Sequence, residues 1–280
     1  MSMVSARRRS IFPTLLAHAF LIVVAVVFLF PLYWLITSAF KSSDGLWALP
    51  PILLPTTGFN QVWQVIANNH LLRLFLHSVI ASLASTAVVM VLASLLVYGL
   101  TRHDWPSRKG IASFIISLKI MPPITVIIPL YLLFSFLHLY DTMLGLTLVY
   151  VLFNLPLAIW LLIGFFNQIP RELDEAAWVE GANSLQTLWH IVLPLSRSSL
   201  IGVAAVSTMF AWNDYIFAVS LTSNHAVTLT VGAAGFLGDY IYQWSSFYTA
   251  GAMEIVPMLL IAIILQRYLL HGLSFGTING

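Results

Sequence analysis

The sequence predicts an all-α integral membrane protein with six transmembrane helices and one structured loop on the inner face. Three observations carry this. Of 280 residues, 60% are hydrophobic and only 8% are charged, with a mean hydropathy of +0.93. A soluble domain carries roughly 25% charged residues, so this chain could not cover its own surface in water. That excludes a soluble globular protein, a disordered chain and a nucleic-acid binder. Six apolar runs reach the ~20 residues needed to cross a bilayer core about 30 Å thick. The basic residues also collect on one side of those runs.

The runs cover residues 13–40, 74–101, 111–138, 144–166, 198–221 and 249–270 of a single transmembrane domain, 1–280. The first follows Arg7, Arg8 and Arg9, as a signal peptide would. It is too long for one and lacks an Ala-x-Ala cleavage site, so it reads as a retained helix. The second lies free of charge between Arg73 and Arg102. Met121-Pro122-Pro123 breaks the third near mid-membrane, where freed carbonyls need protein or cavity water. Pro122 and Pro123 read either as a bend at a gate or as a static kink. Asn154-Leu155-Pro156 predicts the same break in the fourth run. Lys119, about 12 Å in from the inner edge, is expected to snorkel back to the interface.

With the N-terminus inside, the inner segments hold nine basic residues: Arg7, Arg8, Arg9, Arg102, Arg108, Lys109, Arg171, Arg197 and Arg267. The outer segments hold two, Lys41 and Arg73. This positive-inside bias predicts that both termini are cytoplasmic. The outer segment 41–72 has two proline turns, Leu49-Pro50-Pro51-Ile52 and Leu54-Pro55-Thr56, then an amphipathic stretch over 59–66. The outer segment 222–246 is polar and carries Gly232, Gly235 and Gly238.

The inner segment 167–197 is the most informative. Pro170 suits the first turn of a helix, and Glu172, Asp174 and Glu175 then meet the positive end of its dipole. Gly181 suits a left-handed C-terminal cap. Asn183 with Gln186 suits the start of a second helix, which Pro194 ends. Helices resting on an inner leaflet are normally basic, yet four acids, Glu172, Asp174, Glu175 and Glu180, crowd this segment. Small Ala176, Ala177 and Gly181 would admit another backbone, and Leu173, Trp178 and Val179 add apolar surface. Composition alone leaves two readings, a protein-docking knob and a solvated connector.

A resemblance separates them. Glu175-Ala176-Ala177, three residues, Gly181, nine residues, then Ile191-x-Leu193-Pro194 resembles the EAA loop of ABC importer permeases. Glu180 stands where that family usually has Asp, which keeps the charge. Phe30-Pro31-Leu32-Tyr33-Trp34, Met121-Pro122-Pro123, Phe153-Asn154-Leu155-Pro156, Trp212-Asn213-Asp214 and Gln266-Arg267-Tyr268 are similar to the shorter, six-span permease of maltose-type carbohydrate importers. The match covers nearly the whole chain, with Gly272-Leu273-Ser274-Phe275-Gly276-Thr277 fitting loosely where the family has Thr-Ala-Gly-Ala. The resemblance implies the type I ABC importer permease fold. It also implies partners: a second permease, two ATPase subunits and an extracytoplasmic solute-binding protein. The helix centred on Glu175–Gly181 would be the coupling helix that docks in an ATPase cleft, and the tail a further contact with the ATPase pair. The segment 222–246 would probe the binding protein.

The chain offers no chemistry of its own. Lys41, Lys109 and Lys119 lack the glycine-rich phosphate loop of an ATPase. No cofactor is therefore expected here, and ATP and Mg belong to the partner. The eight histidines form no metal or hydrolase constellation, and there is no cysteine. His18, His77 and His138 read as structural. Intramembrane acids are functional candidates by default. Asp214 is placed two-thirds outward along the fifth run, with an interhelix hydrogen bond as its bland alternative, and Glu254 about one turn into the sixth. With Asn154, Trp212 and Asn213 they form a candidate solute path. Trp160 and Trp212 read first as packing residues, although sugars stack on indoles. The expected function is ATP-driven import of a sugar or polyol across a bacterial or archaeal inner membrane. An ion-coupled secondary carrier is the alternative, disfavoured by the lack of an inverted repeat.

Overall fold

The computed structural model describes residues 11–104, 107–237 and 243–273. Arg7, Arg8, Arg9, Gly238 and the tail from Ser274 lie outside them. Among the described residues, four helices are long and apolar enough to cross a membrane: α1 (Ile11–Ser38), α4 (Leu71–Arg102), α7 (Met143–Phe166) and α14 (Trp244–Leu273). Two broken pairs bring the spans to six if each pair counts as one. Short helices α2 (Ser43–Leu46) and α3 (Phe59–Asn68) link α1 to α4.

The first broken pair joins α5 (Arg108–Ser117), with its 3-10 extension Leu118–Ile120, to the 3-10 turn Pro123–Val126 and α6 (Ile127–Phe136). The two halves meet at 93°. Pro122 and Pro123 remove two amide donors in succession, and Met121 and Pro122 are extended, so the helix cannot run through. Pro156 does not repeat this. α7 is continuous through it, because Asn154, Pro156 and Ala158 are buried and hold the helix from its flanks. The missing N–H frees the carbonyl four residues back. The next carbonyl, Phe153 O, accepts from Lys119 Nζ at 3.2 Å. Lys119 therefore turns toward α7, with its ammonium 4.8 Å from the Phe210 ring centroid, rather than snorkelling.

The second broken pair lies after α8 (Glu172–Val179). α9 (Ser184–Thr187), a π turn (Leu188–Val192) and α10 (Leu193–Leu195) form one helical rod. It meets α11 (Arg197–Trp212) at 83°. Pro194 does not end the rod. The π turn reaches back from Leu193 N to Leu188 O, and the stop falls at Ser196, whose hydroxyl donates to Val192 O at 2.6 Å. The fifth apolar run also divides: α11 ends at Trp212 and α12 (Ile216–Leu221) begins after a three-residue break. The segment 222–246 is not only a polar loop. It contains α13 (Leu229–Gly235), whose Leu229 and Ala233 pack with Leu71 and Ala250. A Cβ on Gly232 would run into Leu74 Cδ1, so glycine permits α13 to lie on α4.

The core centres on α4, α7 and α11. Val89, Ala93, Val97, Ile159, Leu162, Phe166 and Val203 are buried together. The α4 face is small and polar, with Ala81, Ser82, Ser85, Thr86 and Ser94 buried, which lets helices approach closely. Thr86 and Thr208 hydroxyls meet across α4 and α11 at 3.0 Å. By contrast, the most apolar stretch of α1 buries none of itself against the described residues. α1 touches α14 through Leu35, which sits beside Gly251.

Candidate functional site

The acidic loop is built from local rules. α8 begins after Arg171, with Glu172, Asp174 and Glu175 in its first turn. It ends in a Schellman cap: Ala182 N donates to Ala177 O at 2.9 Å and Gly181 N to Trp178 O at 3.0 Å. Gly181 holds φ +90°, the left-handed conformation its identity predicts. Asn183 and Gln186 form a reciprocal capping box, at 2.9 and 2.8 Å.

α8 has two distinct faces. Asp174 and Ala177 are buried, whereas Glu172, Leu173, Glu175, Ala176, Trp178, Val179 and Glu180 are exposed. Val179 is 89% exposed. The inward face is fixed by a buried ion pair. Arg102 Nε lies 2.9 Å from Asp174 Oδ2, with the side chains 2% and 1% exposed. Tyr98 donates to Asp174 Oδ1 at 3.2 Å and Arg102 to Ile169 O at 3.2 Å. Arg171 donates to Thr101 O at 2.7 Å. Asp174 thus leaves the acidic cluster and fastens α8 to the end of α4. Spacing puts 174 and 177 on one face of the helix, but Glu172 and Ala176 share a face in the same way and are exposed, so spacing alone does not say which face turns inward. Ile191 and Leu193 are half-buried on the rod behind α8, and Pro194 is exposed.

The candidate solute-path residues fall into separate environments. Trp212 is 3% exposed, stacked edge-on against Phe75 at 5.6 Å, and its indole donates to Glu254 O at 3.2 Å. Its ring is not available for a sugar within this chain. Trp160, on α7, is 55% exposed. Glu254 is ten residues into α14, about 15 Å along the helix, deeper than one turn. Its Oε1 accepts from Thr230 at 2.6 Å, joining α13 to α14 beside the Trp212 carbonyl. Asp214 sits in the break after α11, and its Oδ2 accepts from Ala218 N at 3.0 Å, capping α12. Buried Tyr150 turns its hydroxyl toward the same carboxylate. Asn213 is exposed, its amide donating to Met209 O at 2.8 Å and lying 3.4 Å from Met258 Sδ. Asn154 is buried within α7. No group of histidines and acids among the described residues could hold a metal.

Two features at the opposite end from α8 escaped the sequence reading. Asp141, at φ +55°, accepts from the backbone N–H groups of Ser223, Asn224, His225 and Ala226 at 2.9 to 3.2 Å. Burial raises its pKa, but the hydrogen bonds from Ser223, His225, Asn224 and Ala226 outweigh that and hold it at about 2. Lys41 is 1% exposed, with its ammonium 3.7 Å over the Trp34 ring. Burial lowers its pKa. His77 Nδ1 lies 2.9 Å from Val227 O.

Comparison with known proteins gives consistent matches. Residues 90–274 match the family described as binding-protein-dependent transport system inner membrane component. The trehalose/maltose transport system permease protein MalG of Thermococcus litoralis is 31% identical over 92% of this chain and 94% of its own. The melibiose/raffinose/stachyose import permease protein MelC of Bacillus subtilis is 31% identical over the same shares, 92% and 94%. The diacetylchitobiose uptake system permease protein NgcG of Streptomyces coelicolor is 29% identical over 94% and 88%. In fold, the chain superposes with a TM-score of 0.74 on a chain of a bacterial ABC transporter that imports the acidic polysaccharide alginate. That match covers 95% of this chain and 99% of the other, at 21% identity.

Proposed function

The chain belongs to the binding-protein-dependent transport system inner membrane components, and from that premise we propose how it works. It is a multi-pass permease subunit of a binding-protein-dependent importer. The solute is a sugar or related polyol; sugars are what the names of the similar permeases give. It crosses between this chain and a second permease, all six spans being used, with both termini and α8 on the cytoplasmic side of a bacterial or archaeal inner membrane. Two ATPase subunits bind ATP and Mg and supply the energy, and an extracytoplasmic binding protein delivers the solute. The ion-coupled carrier is not favoured.

The observation that carries the coupling is the two-faced α8. Its acids Glu172, Glu175 and Glu180 and apolar Val179 lie outward with no partner surface among the described residues, while Asp174 ties it to α4. We assign Glu175, Ala176, Ala177, Glu180 and Gly181 to the docking element, with Ile191, Leu193 and Pro194 in the rod that carries its motion onward. Closure of the ATPase pair moves α8, and α4 moves with it, so that two states of the bundle interconvert. The break at Pro122 and Pro123 serves as the gate. Asn154, Asn213 and Asp214 lie nearest the solute path, whereas Trp212 and Glu254 support its wall.

The test exploits the open space at Gly181, where an added Cβ meets no atom of the described residues within 4 Å. Gly181→Ala introduces only backbone strain, and Gly181→Trp adds bulk that a docked partner alone would feel. In purified complexes Gly181→Trp should lose uptake or assembly far beyond Gly181→Ala. Wild-type uptake by Gly181→Trp complexes would overturn the assignment of α8.

A further inference from the structure

Three span ends converge beside α8: the end of α4 at Arg102, the start of α5 at Arg108 and the end of α7 at Phe166. Between them lies a cavity of about 250 Å³. Its polar wall is Arg108, Arg171 and Asn167, and its apolar wall is Leu100, Ala112 and Ile163. Arg108 Nη1 lies 2.7 Å from Asp104 Oδ1, and Arg171 Nη1 lies 4.0 Å from the same oxygen. Arg102 adds no charge here, because Asp174 neutralises it. Two guanidinium groups facing one carboxylate leave one positive charge. A cationic, half-apolar cavity at the level of span ends has the character of a headgroup site.

We propose that this cavity binds the phosphodiester of an anionic phospholipid from the leaflet on the α8 side. The excess of one positive charge matches the single negative charge of a phosphodiester and falls short of a nucleotide polyphosphate. Two guanidinium forks suit phosphate oxygens. The Leu100, Ala112 and Ile163 wall suits the glycerol and first acyl carbons, which free phosphate lacks. Arg171 immediately precedes α8, so the lipid would touch the base of the docking element. Lipid composition would then bear on how firmly α8 is seated.

The test uses the assembled transporter in nanodiscs of phosphatidylcholine with or without phosphatidylglycerol. A photoactivatable phosphatidylglycerol is crosslinked and the adduct mapped, a readout that does not depend on solute uptake. The adduct should fall at the Arg108 and Arg171 segments. Arg108→Gln should reduce it roughly tenfold, Arg108→Lys less, and millimolar inorganic phosphate should not compete. Wild-type labelling of Arg108→Gln would overturn the proposal. Competition by inorganic phosphate would also overturn it, by assigning the cavity to a free anion. Labelling confined to the ATPase subunit would overturn it by showing that a protein covers the cavity. Because Arg108 is half-exposed and outside the core, a matched thermal midpoint for Arg108→Gln excludes misfolding as the cause.

Discussion

Asp174→Ala is the perturbation that most sharply separates this structure from a reading of α8 as a uniformly docking acidic helix. It removes the carboxylate 2.9 Å from Arg102 and leaves a guanidinium 2% exposed that still donates to Ile169 O at 3.2 Å. Breaking one side of a buried ion pair costs about 3–5 kcal/mol, since the other charge stays desolvated. That is at least a hundredfold, roughly, in the equilibrium seating α8 on α4. Glu175 is exposed and unpaired among the described ion pairs, so Glu175→Ala should change stability by less than about 0.5 kcal/mol. The assay pairs the thermal midpoint of the purified transporter with protease access to residues 167–181. Asp174→Ala should lower the midpoint and open the segment, whereas Glu175→Ala should do neither and should weaken ATPase co-purification. Arg102→Met with Asp174→Leu should recover most of the midpoint, because apolar replacement of both partners removes the stranded charge. A wild-type midpoint for Asp174→Ala, or a double variant worse than the single one, would show that this ion pair does not seat α8.

Three other outcomes follow from the geometry. Gly181→Ala should cost about 1–2 kcal/mol from left-handed backbone strain, read as a modest fall in midpoint, with Gly181→Asn milder. Gly145→Ala should cost about 1–3 kcal/mol, because its Cβ would run into the Leu139 carbonyl at the first turn of α7. The same unfolding measurement checks it. Asp141 titrates at about 2 when folded against an ordinary 3.8, so its stabilisation is complete above about pH 4. It is lost as pH falls through 2, and Asp141→Asn, which tolerates the left-handed backbone, should show a flatter fall in midpoint over that window.

What could be read in advance was local. The caps of α8 and α9 follow from Gly181, Asn183 and Gln186, because each acts within a few bonds of itself. The break at Pro122 follows from two adjacent residues that cannot continue a helix. What could not be read depends on neighbours distant in sequence. Pro156 leaves α7 intact because packing on its flanks overrides the lost hydrogen bond. Asn213 and Asp214 interrupt the fifth apolar run with polarity alone, which does not say that the helix stops; the stop comes because Asp214 starts a new helix by capping Ala218. Asp141 finds its four amide donors more than 80 residues away. Within the site, the acidic character of α8 was visible, but the inward turn of Asp174 depends on where Arg102 ends α4.

The junction between Arg102 and Asp174 has a mechanical consequence. α4 is 32 residues long, a rod of about 48 Å. Under the proposed function, in which an ATPase pushes the short element fastened at one end of it, α4 acts as a lever. A tilt of about 5° sweeps its far tip through about 4 Å at that length. That tip carries Leu71, buried against Leu229, and about two turns further on Ser78 Oγ accepts the Leu229 amide at 2.9 Å. A nudge at one membrane face would therefore arrive at the other as a displacement of α13, amplified by length alone.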